Sequence, residues 1–295
     1  QTLEANYSFK SKKTGYINFS KLRYEFSNSF NAQRFSLSIG TTKNFIFNNG
    51  FSIIPSLICL GSKSTDSSIL LEPLPKVSFV SPFGLTYSVF RSFSLPTFNQ
   101  LYWNDNYYIP NPNLVPESGW GHSLSFLQTD FPLYAIIQNS WYANKITWTG
   151  KNENGSFAEN SKNGIYLSAT LGSNYSWKYI GYNFSFTYTK AVINEWDGPQ
   201  IMWVPKFQGC FNLFSSFSIF DFRLNYTFVG KRAKTNENFS FYEPYNLLSF
   251  SCIAKISKQM SLGFNIDNIL DDRYYYHDNF SAPSRSISFH VKYKY

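Results

Sequence analysis

The stretch "SISFHVKYKY" (residues 286–295) alternates strictly between large apolar or aromatic residues and polar ones. The first set is Ile287, Phe289, Val291, Tyr293 and Tyr295, and the second is Ser286, Ser288, His290, Lys292 and Lys294. A period of two places the two sets on opposite faces of a β-strand. The stretch therefore predicts a strand with one face against lipid or a core and the other against water.

The same period of two recurs along the chain. It occurs in Phe83/Leu85/Tyr87/Val89, Ile165/Leu167/Ala169/Leu171, Tyr182/Phe184/Phe186/Tyr188 and Phe222/Leu224/Tyr226/Phe228. The intervening residues are mostly Ser, Asn, Thr and Lys, which are too polar for a sandwich packed on both faces but suit a wet lumen. No apolar run approaches the length of a membrane helix, since "FSIIPSLICL" (51–60) is short and broken by Pro55. No helical periodicity is found.

Composition narrows the class further. The 295 residues are 20% aromatic and only 15% charged, with a mean hydropathy of −0.27. A chain with alternating strands, many aromatics and no apolar helix is typical of a transmembrane β-barrel, the other structure that can span a bilayer. We predict one all-β domain over residues 1–295, an antiparallel barrel portion of about fourteen or fifteen strands.

The predicted connections alternate in length. Short ones fall near 48–50, 81–82, 129–132, 174–179, 216–219 and 257–259, and long ones near 61–74, 92–120, 149–163, 190–204, 230–246 and 268–283. Short periplasmic turns and long external loops are the pattern of outer-membrane barrels. A strand near Leu3–Lys10 would begin on the external side, so we expect further strands N-terminal to it.

Charge and the reactive residues exclude several classes. The net charge of +8 is scattered, and the clusters Lys10–Lys13 and Lys231–Lys234 are interpreted as solvated loop charge, so no nucleic acid is expected. The three cysteines (Cys59, Cys210, Cys252) lack metal-ligand spacing and are interpreted as small residues of the wall. No catalytic set accompanies His122, His277 or His290, although Ser286 and Ser288 share a face with the last. We therefore predict no enzyme activity and no cofactor.

Four acidic residues cluster near the C-terminal end of the chain: Asp267, Asp271, Asp272 and Asp278. Carboxylate oxygens can hold calcium. The spacing is not that of an EF-hand, and Arg273 lies among them. We therefore predict no metal site here.

Aromatic residues are concentrated in the predicted external loops. Rigid aromatic rings bury area at low entropic cost and can stack on a ligand. The candidate ligand-binding residues are Tyr102, Trp103, Tyr107, Tyr108, Trp196, Trp203, Tyr242 and Tyr275. The alternative is that these rings form a girdle at the membrane edge and pack loop against loop.

Two segments resemble the TonB-dependent outer-membrane receptors. "FRSFSLPTFNQLYW" followed by "NPNLVPESGWGHSLSF" is similar to their F-R-x-P-T and N-P-x-L-x-P-E motifs, and "NIDNILDDRYYYHDNFSAPSR" to their C-terminal N-L-F-D and P-G-R motifs. The matching residues include Arg91, Pro96, Thr97, Asn111, Pro112, Leu114, Pro116, Glu117, Asn268, Asp271 and Arg285. The chain departs from the family pattern at Gln100, where many members have an acid, at Ser284, where they have glycine, and at Gly164-Ile165-Tyr166, where Gly-Val-Glu is usual.

The resemblance implies a function as well as a fold. It implies the C-terminal part of an outer-membrane barrel of about 22 strands, with no plug domain in this chain. The expected role is that of a multi-pass outer-membrane receptor that transports a scarce small molecule such as cobalamin or a ferric siderophore. Transport would be driven by TonB through a plug that is not part of this chain. Haem is disfavoured because no histidine lies between Arg91 and Asn111. The alternative is a passive outer-membrane channel of about fourteen strands.

The resemblance also implies an assembly signal at the C-terminus. Tyr293 and Tyr295 end an apolar row, as in the segment that the barrel-assembly machinery reads in this family. Such a strand edge can pair by β-augmentation with the edge of another sheet. We expect contacts with outer-membrane lipid along the apolar faces.

Overall fold

A computed structural model describes residues 2–10, 16–65, 67–105, 108–127, 132–152, 155–160, 163–234, 239–277 and 280–293. Almost all of its regular structure is β-strand. The strands are β1 (Thr2–Lys10), β2 (Tyr16–Ser27), β3 (Ala32–Lys43), β4 (Phe45–Ile46), β5 (Ser52–Ser64), β6 (Leu70–Val80), β7 (Leu85–Ser94), β8 (Tyr108–Ile109), β9 (Glu117–Leu127), β10 (Leu133–Ala143), β11 (Ile146–Asn152), β12 (Gly155–Asn160), β13 (Asn163–Trp177), β14 (Ile180–Ile193), β15 (Phe207–Phe217), β16 (Phe220–Val229), β17 (Arg232–Ala233), β18 (Phe241–Tyr242), β19 (Tyr245–Lys255), β20 (Met260–Asp267), β21 (Tyr275–His277), β22 (Phe280–Ser281) and β23 (Ser286–Tyr293). One helix, α1 (Phe98–Tyr102), lies between β7 and β8.

The long strands form one sheet in chain order. Its order is β1-β2-β3-β5-β6-β7-β9-β10-β13-β14-β15-β16-β19-β20-β23, with β4 paired to β5. Neighbours such as β2 and β3, and β15 and β16, are antiparallel. Three small sheets, β11-β12-β8, β17-β18 and β21-β22, lie within the connections. The all-β, antiparallel fold class is therefore confirmed.

The chain divides into two compact units. Unit 1 comprises Gln1–Ser125, Gln138–Tyr166 and Ile193–Trp196, and unit 2 comprises Phe126–Ile137, Leu167–Val192 and Asp197–Tyr295. Among the described residues, no helix has the length and apolar character needed to cross a membrane.

In unit 1 the strands have one apolar and one polar face, as the alternation predicts. On β3, Phe35 and Ile39 are exposed large apolar residues, whereas Arg34 and Ser36 on the opposite face are buried. Glu25 on β2 pairs with Arg34 on β3, so the polar residues of the two strands lie on the same face of the sheet. Because a slip of one residue would exchange the faces, this polarity fixes the register.

Unit 2 repeats the pattern. Phe211 on β15 pairs with Tyr226 on β16, whereas Asn212 beside it pairs with Asn225. Aromatic rings continue along the apolar face, for example where Phe222 stacks on Phe250 with ring centroids 6.3 Å apart. Aromatic cross-strand pairs of this kind contribute to sheet stability.

Several short turns use left-handed backbone conformations. Gly50 and Gly84 both have φ of 80°, and Lys178 and Ser218 have φ of 39° and 55°. These residues lie in the connections 47–51, 81–84, 178–179 and 218–219. Positive φ values suit tight hairpins whose strands twist to the right.

Two sequence-based expectations are wrong in detail. The predicted long connection at 61–74 is mostly strand, because Ser62 and Ser64 are paired across from Ser36 and Arg34 and extend β5 along the polar face. The finding of no helical periodicity missed α1, whose five residues are too short to show a helical period. The three cysteines do lie in strands, and all are free thiols.

Candidate functional site

The long loop between β7 and β9 begins with a capped helix. Thr97 is the N-cap of α1, and its side chain accepts a hydrogen bond from the Gln100 backbone at 3.3 Å. The Gln100 side chain accepts from the Thr97 backbone at 2.8 Å, which completes a capping box. Gln100 therefore completes the capping box at the position where many members of the family that the sequence resembles have an acid.

This loop packs against the loop between β10 and β13 to form one body, here called the loop module (residues 95–105, 108–116, 144–152 and 155–160). Its core consists of Leu101, Leu114, Ile146 and Ala158, with Phe98, Tyr102 and Trp148 against it. The strand β8 from the first loop pairs in parallel with β12 from the second. The two loops thus order each other by burying a shared apolar cluster.

Asparagine side chains satisfy the backbone where the prolines interrupt it. Asn160 Oδ1 accepts from Val115 N at 2.9 Å, and Asn160 Nδ2 donates to Val115 O at 2.9 Å. Asn111 Nδ2 donates to Ala158 O at 3.1 Å. Pro110, Pro112 and Pro116 lack an N–H, so these amides do the bonding that a strand ladder would otherwise do.

Glu117 joins the loop module to the sheet. The residue is 8% exposed, and its carboxylate accepts hydrogen bonds from Ile146 N at 2.8 Å and from Lys145 Nζ at 3.0 and 2.9 Å. A buried carboxylate needs such partners to offset desolvation. The last residue of the N-P-x-L-x-P-E motif is therefore a structural residue in this chain.

Arg34 secures the other end of the module and was missed by sequence reasoning. It is 5% exposed, and its guanidinium contacts Pro96, Ser64 and Glu25 and lies 5.0 Å from the centre of the Phe98 ring. A polar-face position in β3 is the only signal that the sequence offered. The contact spans 62 residues of chain and is invisible to local patterns.

Arg91, the arginine of the F-R motif, forms an ion pair with Glu72 on β6. Its Nε donates to Glu72 Oε1 at 2.7 Å, and Nη2 contacts the same oxygen. The guanidinium lies 6.0 Å from the centre of the Trp120 ring. Arg91 therefore belongs to the sheet near its loop end rather than to the loop module.

In unit 2 the connections also contact one another. Arg232 is 6% exposed, lies over the rings of Tyr242 and Tyr245, and donates from Nη2 to Tyr275 O at 2.6 Å. The ring of Tyr245 stacks on that of Tyr274 with centroids 4.1 Å apart. The interpretation of residues 231–234 as solvated charge is therefore wrong for Arg232, whose stem and head are covered by aromatic rings.

The acidic cluster is a hydrogen-bonded turn. Asn268 Oδ1 accepts from Asp272 N at 3.1 Å, and Asp271 Oδ1 accepts from Arg285 N at 2.8 Å. Asp272 Oδ2 accepts from Asn246 N at 2.9 Å. Asn268 and Asp271 both have positive φ, as a turn of this shape requires. Asp278 lies outside the described residues, and among those described no cluster of acidic, His or Cys residues could hold a metal ion.

The predicted ligand-binding residues fall into both units. In unit 1, Trp103 and Tyr108 on the loop module are 42% and 38% exposed, Tyr102 is half-buried, and Trp196 is exposed. In unit 2, Trp203 and Tyr275 are exposed, whereas Tyr242 is buried. Tyr107 lies outside the described residues. Of the assembly-signal residues, Tyr293 is exposed at the end of β23, and Tyr295 lies outside the described residues.

In each unit, long connections between antiparallel strands are packed together and hydrogen-bonded. The chain belongs to the TonB dependent receptor-like, beta-barrel family, whose model matches residues 21–269. Membership confirms the sequence resemblance and the outer-membrane location. A comparison with curated proteins gave no match.

Solved structures of low sequence identity share the fold. The copper transporter OprC is 11% identical with a TM-score of 0.75, over 99% of this chain and 56% of its own. The FrpB iron transporter from Neisseria meningitidis (F3-3 variant) is 12% identical with a TM-score of 0.66, over 100% and 55%. The siderophore receptor PirA from Acinetobacter baumannii is 14% identical with a TM-score of 0.66, over 99% and 54%. The chain thus spans about half the length of these transporters and receptors.

Proposed function

We propose that the chain is the C-terminal part of the barrel of a receptor that takes up a scarce ligand of the cobalamin or ferric siderophore class. The observation that carries the proposal is the loop module, a preformed aromatic surface in a chain of the TonB-dependent receptor family. Uptake would be driven by TonB through a plug domain. The barrel-assembly machinery, reading the row that ends in Tyr293 and Tyr295, and outer-membrane lipid are the further proposed partners.

The module holds two rings ready for a ligand. Trp103 Nε1 donates to Asp105 Oδ2 at 2.8 Å, and Tyr108 N donates to Asp105 Oδ1 at 2.8 Å. The Tyr108 ring is further supported edge-on by Trp148 at 5.1 Å between centroids. Because these rings are already fixed, binding a planar or ring-rich ligand costs little additional side-chain entropy.

In unit 2, Trp203 and Tyr275 provide a second pair of exposed rings. Trp203 N donates to Ala233 O at 2.9 Å, which ties its connection to the β17–β18 hairpin. We propose that Tyr242 acts indirectly, since its buried ring packs against Arg232 and Lys234 and supports this hairpin. The other members of the proposed ligand-binding set are Tyr102, Tyr107 and Trp196.

Binding and uptake assays on the whole receptor test the proposal. The double variant Trp103→Ala/Tyr108→Ala should bind cyanocobalamin or a ferric catecholate at least about tenfold more weakly than the parent, and uptake should require TonB. Phe83→Ala, an exposed aromatic residue in a short turn of unit 1, is the matched control and should bind normally.

The alternative of a passive channel makes a different prediction. A steady conductance in planar bilayers, together with solute entry that is independent of TonB and of Trp103 and Tyr108, would favour the channel and contradict the receptor. A receptor should show no such steady conductance.

A further inference from the structure

A cavity of about 430 Å³ lies in unit 1, outside the loop module. It is formed at the loop ends of β7, β9, β10 and β13, and its lining includes Arg91, Trp120, Trp141, Asn163 and Asn194. None of these residues belongs to the proposed ligand-binding set. The cavity is therefore separate from the proposed ligand-binding residues.

The two indoles of the cavity lie on the apolar, exposed face of the sheet. A Cβ atom at Gly121 would meet Phe90 and Ser140, so Gly121 points to the buried side and its neighbour Trp120 to the other. Trp120 is 48% exposed and Trp141 is 49% exposed. Both rings thus present indole surface to a ligand from outside.

Aromatic neighbours hold one of the indoles in place. Trp141 is stacked on His122 with centroids 5.3 Å apart and an interplanar angle of 6°. His122 is in turn contacted edge-on by Tyr87 at 6.1 Å. Trp141, one of the residues that line the cavity, is therefore held by a neighbouring ring.

The polar lining is neutral in charge. Arg91 is paired with Glu72, so its positive charge is compensated and does not favour a free anion such as phosphate. Asn163 and Asn194 are held together, since Asn194 N donates to Asn163 O at 2.8 Å and Asn163 N donates to Asn194 Oδ1 at 3.4 Å. Amide side chains offer both donors and acceptors.

We propose that this cavity binds a pyranose saccharide. The apolar face of a sugar ring fits against an exposed indole, while its hydroxyl groups fit the amides and the Arg91–Glu72 pair. The volume is within the range of pockets for small molecules. The same chemistry is presented by a free oligosaccharide and by the sugar headgroup of a glycolipid in the outer leaflet beside the apolar face.

The test uses the full-length protein purified from outer membranes in a non-ionic detergent. Binding of a delipidated core oligosaccharide and of a short-chain lipopolysaccharide is measured by calorimetry, and co-purifying glycolipid is measured by mass spectrometry. Trp120→Ala and Trp141→Ala should each weaken saccharide binding about tenfold, and the double variant should lose it. The exposed Trp177 at the short-turn end of β13 supplies the matched control, Trp177→Ala, which should bind as the parent does.

Comparing the two probes distinguishes a free saccharide from the sugar headgroup of a glycolipid. Equal binding of both probes with the same dependence on the two indoles supports a site for the saccharide alone, and binding of the glycolipid only supports a headgroup site. A sugar-free phospholipid that binds with the same dependence on Trp120 and Trp141 would overturn the proposal. So would a parent protein that binds neither probe and carries no glycolipid. Uptake of the small-molecule ligand, measured in parallel, reports on the receptor function separately.

Discussion

Arg34 on β3 donates a hydrogen bond from Nη2 to the carbonyl oxygen of Pro96 at 2.7 Å. This one bond joins the sheet to the loop module immediately before its helix begins. The remaining guanidinium donors are directed at Ser64 and Glu25, and the plane of the group covers Phe98. A side chain in the sheet thus positions a segment that lies far along the chain.

Replacing Arg34 should loosen α1 without unfolding the sheet. Arg34→Met keeps an apolar stem but removes the charge-assisted hydrogen bonds, and we expect a local loss of about 2–3 kcal/mol. Hydrogen exchange at the amides of Leu101 and Trp103, which close α1, should then be faster by roughly 30- to 150-fold. Arg23→Met, which breaks an exposed ion pair with Glu25, is the control and should leave these amides unchanged. Equal protection in the two variants would contradict the role assigned to Arg34.

The capping box predicts how Gln100 can be changed. Gln100→Glu keeps an oxygen for Thr97 N and should leave α1 as stable as before or slightly more so, because a carboxylate in the first turn also interacts favourably with the helix dipole. Gln100→Leu loses the acceptor and should cost about 1 kcal/mol. Limited proteolysis within residues 97–103 measures the difference. If both variants are cleaved at the same rate, the side chain of Gln100 is not a cap.

Much of the sheet could be predicted from the sequence because the alternation of apolar and polar residues is a local pattern. The alternation in Phe83/Leu85/Tyr87/Val89 and in Phe222/Leu224/Tyr226/Phe228 specifies which face is apolar, and turns such as the one at Gly84 are marked by residues that tolerate positive φ. The end of β5 was misjudged because Ser62 and Ser64 look like loop residues. They are strand residues with polar partners across the sheet.

The candidate site was harder to predict from the sequence because its contacts join residues that are far apart in the chain. Nothing near Arg34 in the sequence points to Pro96, and nothing near Ala158 points to Leu101. The motif around Glu117 located the right loop, but the partners of its carboxylate come from β11 and the residue before it. The composition indicates loops rich in aromatic residues, but it does not show which of the rings are exposed. In the structure Tyr242 is buried, whereas Tyr275 is exposed.

Glu117 should show a graded response to substitution. Glu117→Gln keeps an oxygen for Ile146 N but loses the ion pair with Lys145, whereas Glu117→Ala loses both and leaves a buried N–H without its acceptor. We expect the alanine variant to be less stable by about 1–3 kcal/mol and the glutamine variant to lie between it and the parent. Thermal unfolding of the detergent-solubilised protein measures the order. A glutamine variant as unstable as the alanine variant would show that the charge, rather than the bond to Ile146, is what matters.

The turn at Asn268 should respond to mutation and not to metal. Asn268→Ala removes the acceptor for Asp272 N and the donor to Pro283 O, and places a non-glycine residue without a stabilising side chain at positive φ. A loss of about 2 kcal/mol is expected. Millimolar calcium or a chelator should leave the melting temperature of the parent unchanged. A rise in melting temperature with calcium would reinstate a metal site among Asp271 and its neighbours.

Gly119 on β9 lies against the backbone of β10 in unit 1. A Cβ atom at Gly119 would lie 2.0 Å from the carbonyl oxygen of Trp141 and 3.1 Å from Cα of Tyr142. These are backbone atoms, so Gly119→Ala can be accommodated only if β9 and β10 move apart, and the bonds between them are lost. We expect a loss of several kcal/mol, seen as a large fall in melting temperature and in the amount of folded protein recovered from the membrane. Gly209→Ala is the matched control, because a Cβ there would meet its nearest neighbour, Phe186, at an ordinary 3.5 Å. The control should be neutral or slightly stabilising, since alanine restricts the unfolded chain more than glycine does. Equal recovery and equal melting temperatures for the two variants would mean that the strands are not held this close.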